Sequence, residues 1–523
     1  MGTNTLAQLA GEWPQRLLKV DCMTSFTRQD GNIYGTEKEP RYNILTYTWG
    51  RFQSSQPDDS IVVHGIEWDI PPILPSHFSV SDFQNVLTEV GVVQGSGWVW
   101  VDVACIDQRD GSEMKKIEIG RQAAIFENAD CVFVWWTTMH IEQLQCSLDC
   151  IKDLDMSAHG RHETAEGRRL WIDEALQSLS MVFSDHWFTS LWTLQEAFAR
   201  PDATILSREG KPSSTSYNLG SFYGHCSSIY NEILVTLSEE QQRVVWKRLF
   251  KELGDIITSI ETSGCYALSA NSPITLYGAA RHRRTSRPCD RIYGIMQIFG
   301  LALGESADPS KTFGLEALEL QLARALNERS PFLAQTFVHL RAPPQGRSWQ
   351  INEHTATPEF ARGGIVSPKA LCSMVFQANG LVEFVGRSSK LVDIARSWQQ
   401  ASFSPMNSVH SIHLDYLPEL EGRVPEWYRS LHLGWDHRQL EIVQWLMEIF
   451  PAEITVGLLG TYKGIKRGRQ IDFFAGLLFV KHECTITRED QYGCIGYCLW
   501  ENNMDILQGP SGLCWHNVNY SLV

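Results

Sequence analysis

At 523 residues the chain is too long for one compact core, so two to four domains are expected. Hydrophobic residues make up 43% and charged residues 20%, the balance of an ordinary globular protein. A formal net charge of −15 disfavours a nucleic-acid scaffold or a general binder of anionic membranes, and no apolar run approaches a membrane span.

Residues 1–40 hold one amphipathic stretch, Leu6–Val20, and then polar turns, which reads as an extension. No secretory signal is evident there, and Leu6 stands where myristoylation would want Ser or Thr. The 13 cysteines are odd in number and form no spaced framework, so reduced thiols are expected. Together these features predict a cytoplasmic protein.

Residues 41–205 read as the first domain. Ile44–Thr48 is a short strand, and Ile61–Ile70 alternates enough to predict an excursion strand ended by the PPILP run. Phe78–Val93 suits a helix with Ser81 and Asp82 near its start. Trp98–Val103 is apolar and β-branched apart from Asp102, as a strand buried on both faces would be. The polar CIDQRDGSE loop follows, with Asp110 and Glu113 spaced to cap a helix running to Ala129. Val132–Trp136 is the next strand. This is a β-α-β unit, and its polar loop lies where open α/β sheets bind ligands.

Residues 206–341 read as a helical region, with Leu315–Arg329 its strongest helix. Ala342–Gly364 is rich in Pro, Gly and polar residues and marks a boundary. Residues 342–523 mix strands at Val375–Val385 and Ile471–Val480 with helix at Pro425–Phe450. Arg281–Arg291 holds five arginines and is read as a solvated loop.

The phosphate loop, G-x-G-x-x-G, G-x-S-x-G and H-E-x-x-H are all absent. Ser184, Asp185 and His186 are adjacent, and neighbouring side chains rarely converge as a triad. His159 and His162 read as a surface pair, so no metal site is assigned. Three carboxylates stand out. Asp102, inside an apolar strand, is either a structural hub or a site residue. Asp107 faces the expected crevice, or caps its own turn. Glu196 lies among tryptophans, or anchors its helix by a buried salt bridge.

Three blocks in fixed order carry a resemblance: YNILTYTWG (Tyr42–Gly50), WVDVACIDQRDGSE (Trp100–Glu113) and HWFTSLWTLQEAF (His186–Phe198). The chain resembles the fungal HET (heterokaryon incompatibility) domain proteins, with a weaker fourth echo at Arg287–Leu301. One departure is that Ser190 and Leu191 stand where the family usually has an Arg. HET domains are similar to TIR domains, so the resemblance implies an α/β fold with a TIR-like (flavodoxin-like) parallel sheet. A helical region and a mixed α+β C-terminal region would follow it.

In enzymatic TIR domains the Glu of a W-C-L-x-E block cleaves NAD, and Trp192–Glu196 matches that spacing with Thr193 for Cys. The resemblance thus implies self/non-self recognition leading to cell death, with NAD as a candidate substrate rather than a cofactor. Glu196, Asp107 and Asp102 are the candidate catalytic residues. Trp49, Gly50, Gln108, Trp192 and Gln195 are the candidate binding residues, with Trp49 or Trp192 suited to stack on a ligand ring. Two alternatives stay open: a specialised-metabolism enzyme using the same crevice on another small molecule, and a non-catalytic module that self-assembles or binds a protein partner.

Overall fold

The computed structural model describes residues 13–54, 60–161, 164–213, 217–240, 247–270, 273–357, 366–377, 380–401, 410–416, 439–450, 453–466, 469–482, 491–501 and 515–522. The chain divides into two compact units, residues 1–318 and 319–523.

The first unit is built on a six-stranded sheet in the order β2-β1-β6-β5-β7-β8. Its strands are β1 (Arg16–Lys19), β2 (Thr24–Thr27), β5 (Asn43–Thr46), β6 (Trp98–Trp100), β7 (Val132–Trp135) and β8 (Thr204–Leu206). A small hairpin, β3 (Ile33–Tyr34) and β4 (Glu37–Lys38), lies outside it. As the sequence predicts, β5, β6 and β7 lie side by side and parallel, and β8 joins them in parallel. Every residue of β5, β6 and β7 is buried, which explains their unbroken apolar runs. The extension before residue 41 contributes β1 and β2, an antiparallel pair added to the edge of β6.

Helix α1 (Val80–Val92) opens with a capping box formed by Ser79 and Asp82. It packs Phe83, Val86, Leu87 and Val90 inward, and the buried Asn43 amide donates to Val90 O at 2.8 Å. Three expectations are corrected here. The strand at Trp98 ends at Trp100, and Asp102–Cys105 is a helical turn, α2. Asp102 Oδ1 accepts the N–H of Val103 at 2.8 Å, a local bond that favours a turn over strand pairing. Ile61–Ile70 forms no strand: only a bridge from His64 to Thr24 is made before Gly65 turns with φ +77.

The helix expected up to Ala129 is two helices, α3 (Glu113–Ile119) and α4 (Gln122–Asn128), and Ser112 rather than Asp110 caps the first. Gln297 fills the break. Its Oε1 accepts from Ala123 N at 2.5 Å, and its Nε2 donates to Ile119 O.

The remaining helices of this unit are α5 (Ile141–Arg161), α6 (Ala165–Phe183), α7 (Trp192–Ala199), α8 (Leu219–Glu240), α9 (Lys247–Ser263), α10 (Cys265–Ala270), α11 (Pro273–Ala280) and the short α12 (Asp290–Tyr293). Helices α5, α6, α8 and α9 pack on one another as a cluster. The predicted helix Leu315–Arg329 forms as α13.

The second unit is rich in sheet. Beyond α14 (Pro331–Ala334) and the small pair β9 (Val338–His339) and β10 (Thr355–Ala356), it has eight further strands. These are β11 (Val366–Ala370), β12 (Ser373–Phe376), β13 (Val382–Lys390), β14 (His410–Leu414), β15 (Ile454–Lys466), β16 (Arg469–His482), β17 (Gln491–Glu501) and β18 (His516–Leu522). The sheet closes on itself, because β13 pairs with both β18 and β15. Helices α15 (Leu391–Ala401) and α16 (Gln439–Ile449) bury Leu391, Ile394, Ile442 and Leu446 against Val456, Phe474 and Leu478. Part of the helix expected at Pro425–Phe450 lies outside the described residues.

Among the described residues no helix is long and apolar enough to cross a membrane. The 11 described cysteines are all without a disulfide.

Gly496 tests this packing. Its φ is +138, and an added Cβ would stand 2.1 Å from His413 O on the neighbouring strand. Gly496→Ala should therefore detach β14 from β17. Hydrogen exchange should speed up markedly over residues 410–414 and 494–498. Unchanged exchange there would contradict the described pairing.

Candidate functional site

Strand order reverses between β5 and its two parallel neighbours, β6 on one side and β7 on the other. Loops leaving the carboxyl ends of such strands diverge and open a crevice. Thr46 is the last residue of β5, and Tyr47-Thr48-Trp49-Gly50 runs on from it. Asp102 begins the turn that follows β6, while Gln122 opens α4 and Glu196 sits on α7. The sheet thus gathers residues from all three sequence blocks at one end.

Glu196 is the centre of this group. Its Oε2 accepts from the Thr46 hydroxyl and its Oε1 from Gln122 Nε2 at 3.2 Å. Thr46 in turn accepts from the indole N–H of Trp187 at 3.0 Å. The residue is half-buried as a whole, and its carboxyl is closely surrounded by protein. Burial pushes its pKa from 4.5 up to about 8, Asp102 adds to the rise, and the Thr46 and Gln122 donors oppose it. Among the described residues no cation partners it, so the hydrogen bonds from Thr46 and Gln122, rather than the buried salt bridge weighed from the sequence, are what hold Glu196.

Asp102 is the second carboxyl here. Its Oδ2 accepts from the indole N–H of Trp49 at 2.6 Å. The Tyr47 hydroxyl is buried beside Asp102, and burial first, then the Asp102 carboxyl, push its pKa well above the usual phenol value. Burial raises the Asp102 pKa, against the pull of Trp49, Tyr47 and Val103. Two carboxyls with raised pKa values and the Tyr47 phenol therefore lie together at the carboxyl end of the sheet.

The other sequence candidates are placed differently. Asp107 is saturated by its own loop: it accepts from Arg109 Nη2 at 2.7 Å, from Arg109 N at 3.0 Å and from Ser112 Oγ at 2.8 Å. The Arg109 guanidinium holds its pKa down at about 2. Gln108 ties the same loop to Asp102 O and Ile106 O. Gly50 is exposed, with open space around its Cα. Trp192 turns its indole toward Asp290, and Gln195 is buried, accepting from Gln297 N at 3.2 Å. Trp49 therefore shares the crevice of Glu196 and Asp102, whereas Asp107, Gln108, Trp192 and Gln195 are engaged with the surrounding frame.

A family model, Heterokaryon incompatibility protein (HET), matches residues 42–196. This chain carries a HET domain. No curated protein and no solved structure matches the chain. The matched residues run from Tyr42, just before β5, to Glu196 itself, so they contain Thr46, Tyr47, Trp49, Asp102, Gln122 and Glu196.

The HET domain also uses residues beyond its matched span. The stretch around Arg283 is not simply a solvated loop, because Arg283 is 1% exposed. Its guanidinium donates to Trp187 O at 2.9 Å, to Ser190 O at 3.1 Å, to Thr193 Oγ1 at 3.2 Å and to Ser263 O. An arginine from later in the chain thus reaches the place where Ser190 and Leu191 depart from the family pattern. Ser184, Asp185 and His186 form no triad. Asp185 caps the 3-10 turn through Trp187 N and binds Thr138, while Ser184 donates to Met181 O. His162 and the side chain of His159 lie outside the described residues.

Sequence reasoning missed Thr46, Tyr47, Gln122, Gln297 and Arg283. The first two stand in the first block and could have been read there. Gln297 lies in the weak fourth echo.

The raised Glu196 pKa carries a sign. A folded value of about 8 above an unfolded 4.5 means the folded chain holds a proton that the unfolded chain has lost. The resulting stability is complete below about pH 4.5 and is lost as pH rises through about 8. Glu196→Gln has no such proton. Its melting temperature relative to the parent should therefore climb steadily between pH 5 and pH 9. Glu118, raised to about 7 by burial, acts alike in both proteins and cancels from the difference. A pH-independent difference would show that Glu196 is not held protonated.

Proposed function

We propose that this chain acts in fungal self/non-self recognition leading to cell death, and that its HET domain is a TIR-like enzyme cleaving NAD at the nicotinamide–ribose bond. The HET match supports the recognition and cell-death role. The observation that carries the chemical reading is Glu196, lodged without a cation between Thr46 and Gln122 beside Asp102. The parallel strands, numbered in chain order, run 2-1-3-4 across the sheet, which supports a flavodoxin-like arrangement with its ligand at the switch point.

The chemistry suits these groups. Breaking the bond from ribose C1′ to nitrogen leaves the electron pair on nicotinamide, which departs neutral from a cationic parent. Water supplies the hydroxyl to C1′ and releases a proton. The protein's work is to steady an oxocarbenium-like ribose, and a carboxylate does this well where water is partly excluded. A cationic nicotinamide near Glu196 favours the ionised carboxyl, so substrate binding would drive off the proton that the empty site retains. Asp102, fixed by Trp49, and the Tyr47 hydroxyl beside it have the chemistry to hold ribose hydroxyls, which supports this reading. Trp49 is partly exposed and offers a stacking surface.

Nicotinamide release from NAD by the purified full chain is the test. Activity should be measurable, and kcat/KM should rise with pH up to about 8 as Glu196 ionises. Glu196→Gln should melt as a folded protein yet lose activity by about a hundredfold or more. No release by the unmutated chain, at any protein concentration or with a crowding agent, would remove NAD cleavage. Turnover of a different metabolite would then favour specialised metabolism, and concentration-dependent assembly without turnover would favour a non-catalytic module.

A further inference from the structure

The geometry points to a diphosphate subsite formed by Arg51 and Arg284 at the rim of the crevice. The inference rests on reading that crevice as a nucleotide site, and it names the part of the nucleotide that these residues would hold.

Both arginines are fastened to Thr189, in the turn that leads into α7. Arg51 Nη2 donates to Thr189 Oγ1 at 2.8 Å and to His186 O at 3.1 Å. The backbone N–H of Arg284 donates to Thr189 O at 2.7 Å, and Arg284 O accepts from Leu191 N at 3.0 Å. Arg51 follows Trp49 by two residues, and Trp49 holds Asp102. Glu196 lies about one turn into the helix that this Thr189 turn introduces. Arg51 and Arg284 therefore approach the crevice mouth from two different segments.

Among the described residues no carboxylate compensates their charges. Arg51 is half-buried, and the charge that acts on it is Arg284, which is of like sign. Burial and then Arg284 lower the Arg51 pKa. Neither has a carboxylate partner among the described residues. The nearby Arg283 gives its guanidinium to carbonyls and a hydroxyl. His77, held close to neutral with a pKa of about 4 by burial, stacks on Phe52 at 3.8 Å and adds no negative charge. The backbone of Arg284 and the guanidinium of Arg51 meet at Thr189, so the two like charges act on each other there, and an anion bound between them would relieve that repulsion. Guanidinium forks match phosphate oxygens, and two of them match the two charges of a diphosphate.

ADP, with adenosine as the uncharged comparison, probes this site by calorimetric titration of the full chain. ADP should bind more tightly than adenosine, and more weakly as salt rises. Arg284→Glu changes an exposed side chain that makes no ion pair among the described residues, so the fold should persist. It should weaken ADP by about tenfold or more and leave adenosine unchanged. Arg51→Gln should do likewise, and Arg51→Lys should retain part of the ADP affinity. Lys311→Gln, which alters an exposed cation paired with Asp308, should leave ADP unaffected.

Equal ADP binding in the parent and in Arg284→Glu would overturn the subsite. So would ADP bound no more tightly than adenosine. The NAD reading fails separately. Arginine-dependent ADP binding without nicotinamide release keeps the subsite and removes the cleavage. Nicotinamide release with arginine-independent ADP binding removes the subsite alone.

Discussion

The Thr46 hydroxyl is the contact on which the candidate site depends. It donates to Glu196 and accepts from Trp187, so one small side chain at the end of β5 joins the sheet to the 3-10 turn and to α7. A hydroxyl suits this place because it can donate and accept at once. Valine has nearly the same shape, yet it would leave a buried indole N–H and one oxygen of the Glu196 carboxyl without a partner. Trp187 and Thr46 are both buried, so water cannot replace the lost bonds cheaply. The position of Glu196 is therefore set by the central strand and not by its own helix alone.

Desolvation then decides the chemical state of the crevice. The Thr46 and Gln122 donors favour an ionised Glu196, while burial and Asp102 oppose ionisation, and the balance falls on the protonated side near neutrality. At Asp107 the same contest ends the other way. That carboxyl is far less desolvated, and Arg109 and Ser112 surround it, so its pKa falls to about 2. The two sites thus differ in desolvation and in a guanidinium, supplied to Asp107 and, among the described residues, not to Glu196. A carboxyl left without a cation stays responsive to a cationic ligand, and one already paired does not.

The fold was legible where a buried pattern is unbroken. The apolar runs of β5, β6 and β7 and the periodicity of α1 and α13 each declared their element. The misreadings arose where a side chain overrode that pattern. Trp98–Val103 reads as one strand, but the Asp102 side chain takes the next N–H and starts a turn. Residues 113–129 read as one helix, but Gln297, 178 positions from Ile119, replaces the missing helical bonds. Of the candidate site, Glu196, Asp102 and Trp49 stand in tryptophan-rich blocks and could be named in advance. Asp107 could not be separated from them, because its saturation depends on where Arg109 folds back. Tyr47 looked like one more core aromatic, and only its hydroxyl against Asp102 in the structure distinguishes it.

The frame of the HET domain extends past the residues that the family model matches. Matched residues end at Glu196, yet α7 is held from outside that span. Arg283 binds the carbonyls of Trp187 and Ser190 and the hydroxyl of Thr193, all at the start of the helix. Asp290 meets Trp192, and Gln297 binds Gln195 while bridging α3 to α4, the helix that supplies Gln122. Each of these contacts is buried or nearly so, and each satisfies groups that would otherwise be stranded. Residues 197–282 lie between the match and these contacts and form mainly the helical cluster beside the sheet. The chain must therefore complete that cluster before Arg283 and Gln297 can close on α7. On this reading a fragment ending near residue 200 keeps Glu196, Asp102, Thr46 and Gln122 and lacks Arg283 and Gln297, which fix the helix that carries Glu196.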